Sequence, residues 1–122
     1  MTKFACALVI LLVTAGTANA ISDECNTVAK MAECCKLHLR SASEKLLPSE
    51  LDMAHQCVRA IDGARDETTQ EKYLNACVPA GVATVDIAKS FIFFSENRPD
   101  FYTRSPRFGL LYLMEFKWPC EK

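Results

Sequence analysis

Apolar and small residues at Cys25, Val28, Ala32, Cys35 and Leu39 recur at intervals of three, four, three and four, the stripe of an amphipathic helix. The spacing predicts a helix from Ser22 to about Arg40, with Ser22 or Asp23 as its N-cap. A second stripe, Leu51, Ala54, Val58 and Ile61, follows Pro48-Ser49, and Ser49 precedes Asp52 by three residues as an N-cap would. Gly63 stands where a helix C-terminus is expected. Thr68-x-x-Glu71 fits a capping box and predicts a third helix through Tyr73, Leu74 and Cys77, ended or bent at Pro79. Val82, Val85 and the run Phe91-Ile92-Phe93-Phe94 predict a fourth helix, amphipathic at its start and buried all round at its end. A short buried strand over 91–94 is the competing reading. Ser95 to Arg107, with Pro99 and Pro106, reads as a loop. Phe108 to Trp118 reads as a fifth helix, because Leu110 and Met114, and Tyr112 and Phe116, lie four apart; a strand is the alternative there.

The chain opens differently. Lys3 precedes an apolar run of ten, Phe4 to Val13, and Ala18-Asn19-Ala20 follows as a small-x-small cleavage site. These are the three parts of a secretory signal peptide over residues 1–20, leaving 21–122 as one helical, disulfide-rich domain. The run is about half the roughly 20 residues that span a bilayer. No later segment is an apolar stretch of that length, and Trp118-Pro119-Cys120-Glu121-Lys122 is no lipid-anchor tail. The mature protein is expected to be secreted, extracellular and without a transmembrane span.

Cleavage changes the meaning of the cysteines. Cys6 leaves with the leader, so seven become six: Cys25, Cys34, Cys35, Cys57, Cys77 and Cys120, with 8, 0, 21, 19 and 42 residues between them. An even number in a short secreted chain implies disulfides, each stabilising it by about 2–4 kcal/mol through restriction of the unfolded chain. Adjacent Cys34 and Cys35 point about 100° apart on a helix and should reach different neighbours. A central helix stapled from Cys34 and Cys35 to Cys57 and Cys77, in either order, with Cys25 closing on Cys120, is the expected scheme. The rival reading is a metal site, since Cys34 and His38 are four apart and His55 lies two from Cys57. The paired short-spacing signature of zinc ligands is missing, and disulfides are preferred. The fold class expected is all-α, a small disulfide-stapled bundle of four to five helices.

Charge narrows the partners. Without Lys3 the chain keeps 13 basic and 15 acidic residues and shows no basic stripe, so nucleic acid is not expected as a partner. Arg98, Arg104 and Arg107 form the one local basic excess, read as a solvated loop, with contact to an anion or a headgroup as the alternative. No asparagine has Ser or Thr two residues on, so no N-glycosylation sequon exists.

Catalytic patterns are sparse. The two histidines, His38 and His55, belong to no catalytic string, and G-x-S-x-G, H-E-x-x-H and glycine-rich phosphate loops are absent. Asp52 and His55, three apart, read as a surface pair. Arg107-Phe108-Gly109 lacks the basic residue that would make it an amidated ending. The expectation is a protein that is not an enzyme, with no cofactor and no metal.

The aromatic residues are unevenly placed. Nine of the ten beyond the leader fall in the last 32 residues, and the other is Tyr73. Plain core filling accounts for any one of them. Together, Phe91, Phe93, Phe94, Tyr102, Tyr112, Phe116 and Trp118 are the candidate lining of a pocket for a small hydrophobic molecule, with Tyr102, Tyr112 and Trp118 as polar handles. In leader, size, mild acidity, helix content and six cysteines the chain resembles the insect odorant- and pheromone-binding proteins, and Met53-Ala54-His55-Gln56-Cys57-Val58 is similar to a cysteine-bearing helix of that family. The family's C-x-x-x-C and closing C-x8-C pairs are not present, so the resemblance is one of architecture. It implies a carrier of a lipid, pheromone or odorant. The alternative is a secreted effector or signalling protein of a venom, saliva or reproductive fluid, acting on an extracellular protein partner. A carrier buries its aromatics around a cavity, whereas an effector displays some as a surface patch.

Overall fold

A computed structural model describes residues 23–71 and 74–121. The expected leader, Ser22 and Tyr73 lie outside the described residues. Four α-helices carry the described residues: α1 (Val28–Arg40), α2 (Pro48–Gln70), α3 (Thr84–Asn97) and α4 (Pro106–Lys117), with single 3-10 turns at Asp23–Cys25 and Pro99–Phe101. Among the described residues there is no strand, so the strand alternatives at 91–94 and 108–118 are set aside. The result is an all-α, disulfide-stapled bundle.

Caps explain where the helices begin. α1 starts at Val28 because Thr27, in an extended conformation, accepts from the Lys30 N–H at 3.2 Å through its hydroxyl. The N–H groups of Val28 and Ala29, which no helix can satisfy internally, donate to the carbonyls of Arg104 and Tyr102 at 2.8 and 3.2 Å. Pro48 opens α2 at the first helical position, and Glu50 folds back to accept from the Leu47 N–H at 2.9 Å. Ser105 caps α4, accepting from the Phe108 N–H at 3.2 Å, again with proline next.

Several predicted boundaries are corrected: α1 begins at Val28 with Thr27 as its cap and not at Ser22 or Asp23, and α2 is capped at Leu47, which leaves Ser49 inside the helix. α2 does not stop at Gly63 but runs on to Gln70. Nothing packs within 4 Å of the place where a Gly63 β-carbon would sit, and buried Ile61 and Ala64 on the opposite face keep the helix in register. The capping box at Thr68 does not form, because the Thr68 hydroxyl donates backward to the Arg65 carbonyl at 2.7 Å, as an interior helical threonine does. The segment from Leu74 to Ala83 is accordingly irregular, not a third helix. The predicted loop from Ser95 to Arg107 is also shorter: α3 reaches Asn97 and α4 takes in Pro106, since both prolines of this stretch occupy first helical positions.

The core is continuous. Val28 and Met31 of α1, Ile61 of α2, Ile87 and Phe91 of α3, and Leu110 and Met114 of α4 are all fully buried. α1 packs against both α2 and α3, and α4 touches all three. At Gly109 the approach is close: a β-carbon there would lie 2.6 Å from Val28 Cγ2 and 3.4 Å from the Phe91 ring.

The disulfides are Cys25–Cys34, Cys35–Cys57 and Cys77–Cys120, with Cα separations of 6.2, 5.0 and 4.9 Å. Cys35 reaches α2 as expected. The remainder of the expected scheme is wrong. The 3-10 turn at Asp23–Cys25 doubles back on α1, so Cys25 meets Cys34 across nine residues, and Cys120 is left to Cys77. Cys34 and Cys35 do diverge, one toward that turn and the other toward α2, as a 100° step requires.

Candidate functional site

α3 and α4 run in opposite senses, Ser90 meeting Lys117 near one end and Arg98 meeting Tyr112 near the other. Between them lies an open groove of about 550 Å³, within the range of pockets that take small organic ligands. Its α3 wall is a helical stripe, Lys89, Phe93 and Asn97, with Ser90 and Phe94 beside it; its α4 wall is Tyr112, Leu113, Phe116 and Lys117. These positions share a face because residues three and four apart align on a helix.

The floor is buried and the rims are not. Phe94 and Leu113 are buried, whereas Phe93 is 69% and Phe116 77% exposed. The run 91–94 is therefore not buried all round: Phe91 and Phe94 face the core, and Phe93 points out over the groove. The rings of floor and wall are interlocked with that of buried Phe101. Phe94 meets Phe101 edge-on with centroids 5.1 Å apart, and Tyr112 lies 4.8 Å from Phe101 and 5.9 Å from Phe94. Such contacts fix ring positions beyond what burial alone does.

Each end of the groove has its own electrostatics. At one, the Arg98 guanidinium grips Asp100 through Nε and Nη2 at 3.0 and 2.8 Å, donates to the Tyr112 hydroxyl at 3.4 Å and lies 4.6 Å from the Phe101 ring centroid. The hydrogen bonds to Asp100 and then to Tyr112 raise the Arg98 pKa, and Arg98 holds the Asp100 carboxyl below its usual range. At the other end, Lys117 Nζ donates to Ser90 Oγ at 2.7 Å, bridging the two helices, and Lys89 stands beside Ser90 in the chain. Among the described residues no carboxylate lines the groove.

Of the seven aromatic residues expected to line a pocket, Phe93, Phe94, Tyr112 and Phe116 are brought together here. Three are elsewhere. Phe91 is fully buried in the core, Tyr102 is exposed in the loop before α4, and Trp118 follows α4 with its ring centroid 5.4 Å from Lys117 Nζ. Lys89, Ser90, Asn97, Arg98, Leu113 and Lys117 complete the lining and are not among the residues expected there. Periodicity held the signal for most of them, since Lys89 and Asn97 flank Phe93 at four residues and Lys117 follows Leu113 by four.

The basic trio is solvent-accessible, as a solvated stretch would be, but its members are engaged and Arg107 belongs to α4 rather than to the loop. Arg98 is engaged as described, Arg104 lies over the Phe108 ring at 4.5 Å, and Arg107, in the first turn of α4, is ion-paired with Glu67 of α2. His38 and His55 lie on α1 and α2, outside the groove lining. Asp52 accepts from Gln56 Nε2 at 3.1 Å. No group of three or more His, Cys, Asp or Glu suited to hold a metal occurs among the described residues, and no helix among them is long and apolar enough to cross a membrane.

No family model, no curated protein and no solved structure matches this chain.

Proposed function

We propose that the protein is a secreted carrier that holds a small hydrophobic molecule, of the lipid, pheromone or odorant type, in the groove between α3 and α4. The observation that carries this reading is the lining itself: Phe93, Phe94, Tyr112, Leu113 and Phe116 surround about 550 Å³ with no carboxylate among them. Apolar walls with a few polar groups are what binding sites for such ligands require. Three disulfides are in keeping with an oxidising, extracellular setting, and the sequence supplies a leader to reach it. Interlocked rings of floor and wall favour a groove whose shape is set before the ligand arrives, which lowers the ordering cost of binding.

The exposure of Phe93 and Phe116 favours a second reading, an effector that seats a protein partner on these rims. Native mass spectrometry with organic extraction of the secreted protein separates the two. A carrier yields a stoichiometric small molecule, and the stripped protein takes up a neutral fluorescent lipid probe at one site. A protein that emerges empty and refuses the probe overturns the carrier reading.

A further inference from the structure

We propose that the groove selects single-chain anionic amphiphiles, with the acidic head held by Lys89 and Lys117 and the apolar chain laid over Phe94 and Leu113 between Phe93 and Phe116. This rests on the carrier reading and names its ligand class.

The two ends of the groove are not equivalent. Arg98 is already matched by a bidentate carboxylate, Asp100, and by the Tyr112 hydroxyl, so that end is closed and compensated. At the opposite end Lys117 has a neutral partner, Ser90 Oγ, and Lys89 has no ion-pair partner among the described residues. Acids nearby are engaged away from the groove: Glu96 with Lys36 at 3.5 Å, and Glu115 with the Asn75 N–H at 2.8 Å. Asp86, exposed and one turn before Lys89, is the remaining acid of α3, and it does not line the groove.

Two ammonium groups thus stand at the mouth of an apolar trough on a chain whose formal net charge is negative. A neutral ligand would leave them without a counter-charge, and a cationic one would be repelled. A carboxylate, sulfate or phosphate monoester head would take charge-assisted hydrogen bonds from both. Ser90 to Arg98 spans about 12 Å of helix, which suits one hydrocarbon chain laid along it.

The test titrates the intact protein, at low ionic strength and below micelle formation, with dodecanoate, dodecanol and dodecylamine. Trp118, the sole tryptophan, reports through its fluorescence because it adjoins Lys117. Dodecanoate should bind about tenfold tighter than dodecanol, in keeping with hydrogen bonds to charged groups, and dodecylamine weakest. The double variant K89Q/K117Q should lose that preference, and K45Q, an exposed lysine on the α1–α2 connection, should change nothing. Equal affinity for dodecanoate and dodecanol, or a preference that survives K89Q/K117Q, overturns this proposal and leaves the carrier standing. Failure of all three to bind overturns the carrier itself. Sedimentation with phosphatidylglycerol vesicles in the absence of dodecanoate binding would overturn the proposal in favour of a membrane surface.

Discussion

Gly109 and Val28 occupy one small space between α4 and α1, where a β-carbon on the glycine would stand 2.6 Å from Val28 Cγ2. Val28 is fully buried and β-branched, so its methyl group has little room to turn away. G109A should therefore destabilise the fold by about 1–3 kcal/mol through overpacking, although alanine is the better helix former. V28A removes the opposing methyl groups. Chemical denaturation of both single variants and the double should show G109A costing clearly less in the V28A background; additive losses would mean that the glycine matters for another reason.

Phe91 and Phe93 are two residues apart and have opposite fates. Phe91 is fully buried at the centre of the core, and Phe93 is 69% exposed over the groove. F91A should cost about 3–5 kcal/mol by leaving a cavity, and F93A under about 1 kcal/mol. Ligand uptake should separate the pair in the reverse direction, with F93A folding normally and binding weakly. Thermal denaturation together with titration by a neutral lipid probe reads both effects, and equal losses of stability and binding in F93A would assign it to plain core filling.

Much of this architecture is legible in the residue pattern, and the failures have physical causes. The stripes through Val28 and Ala32, through Ala54 and Ile61, and through Leu110 and Met114 point to α1, α2 and α4 because burial at 3.6-residue spacing is a local property. Gly63 and Thr68 misled because intrinsic helix-ending tendencies of about 1 kcal/mol yield to packing on either side. Cysteine pairing is not local at all: only the fold-back of Asp23–Cys25 makes Cys25 a neighbour of Cys34. The groove was half legible. Aromatic density marked Phe93, Phe94, Tyr112 and Phe116, but the lysines at its mouth depend on how α3 and α4 face one another.

The three disulfides should open in a defined order. Cys25, Cys34, Cys35 and Cys57 have at most 1% of their surface accessible, whereas Cys77 is exposed and Cys120 half-buried. Thiol–disulfide exchange needs access to a sulfur, so mild reductant should open Cys77–Cys120 first, with the other two surviving until the protein unfolds. That bond closes 43 residues of separation and, with the Cys77 N–H bound to the Trp118 carbonyl at 2.7 Å, pins the chain just after α4. Its loss should lower stability, by about 4 kcal/mol on the chain-entropy estimate, and loosen the groove end formed by Phe116 and Lys117. Timed alkylation and peptide mapping would read the order; early labelling of Cys35 or Cys57 would contradict it.

Glu67 of α2 and Arg107 of α4 form an ion pair that ties the two helices across 40 residues of sequence. The hydrogen bond from Arg107 holds the Glu67 carboxyl below its usual range. A depressed folded-state pKa adds stability that is present above the ordinary glutamate pKa near 4.3 and is lost as pH falls through the lower folded value. Arg107 is largely exposed, so solvent screening keeps the contribution below about 1 kcal/mol. Melting temperature measured from pH 6 downward should therefore fall less steeply in E67Q than in the parent, and added salt should narrow the gap. Parallel curves for the two proteins in this acid window would show that the pair does not contribute to holding α4 on α2.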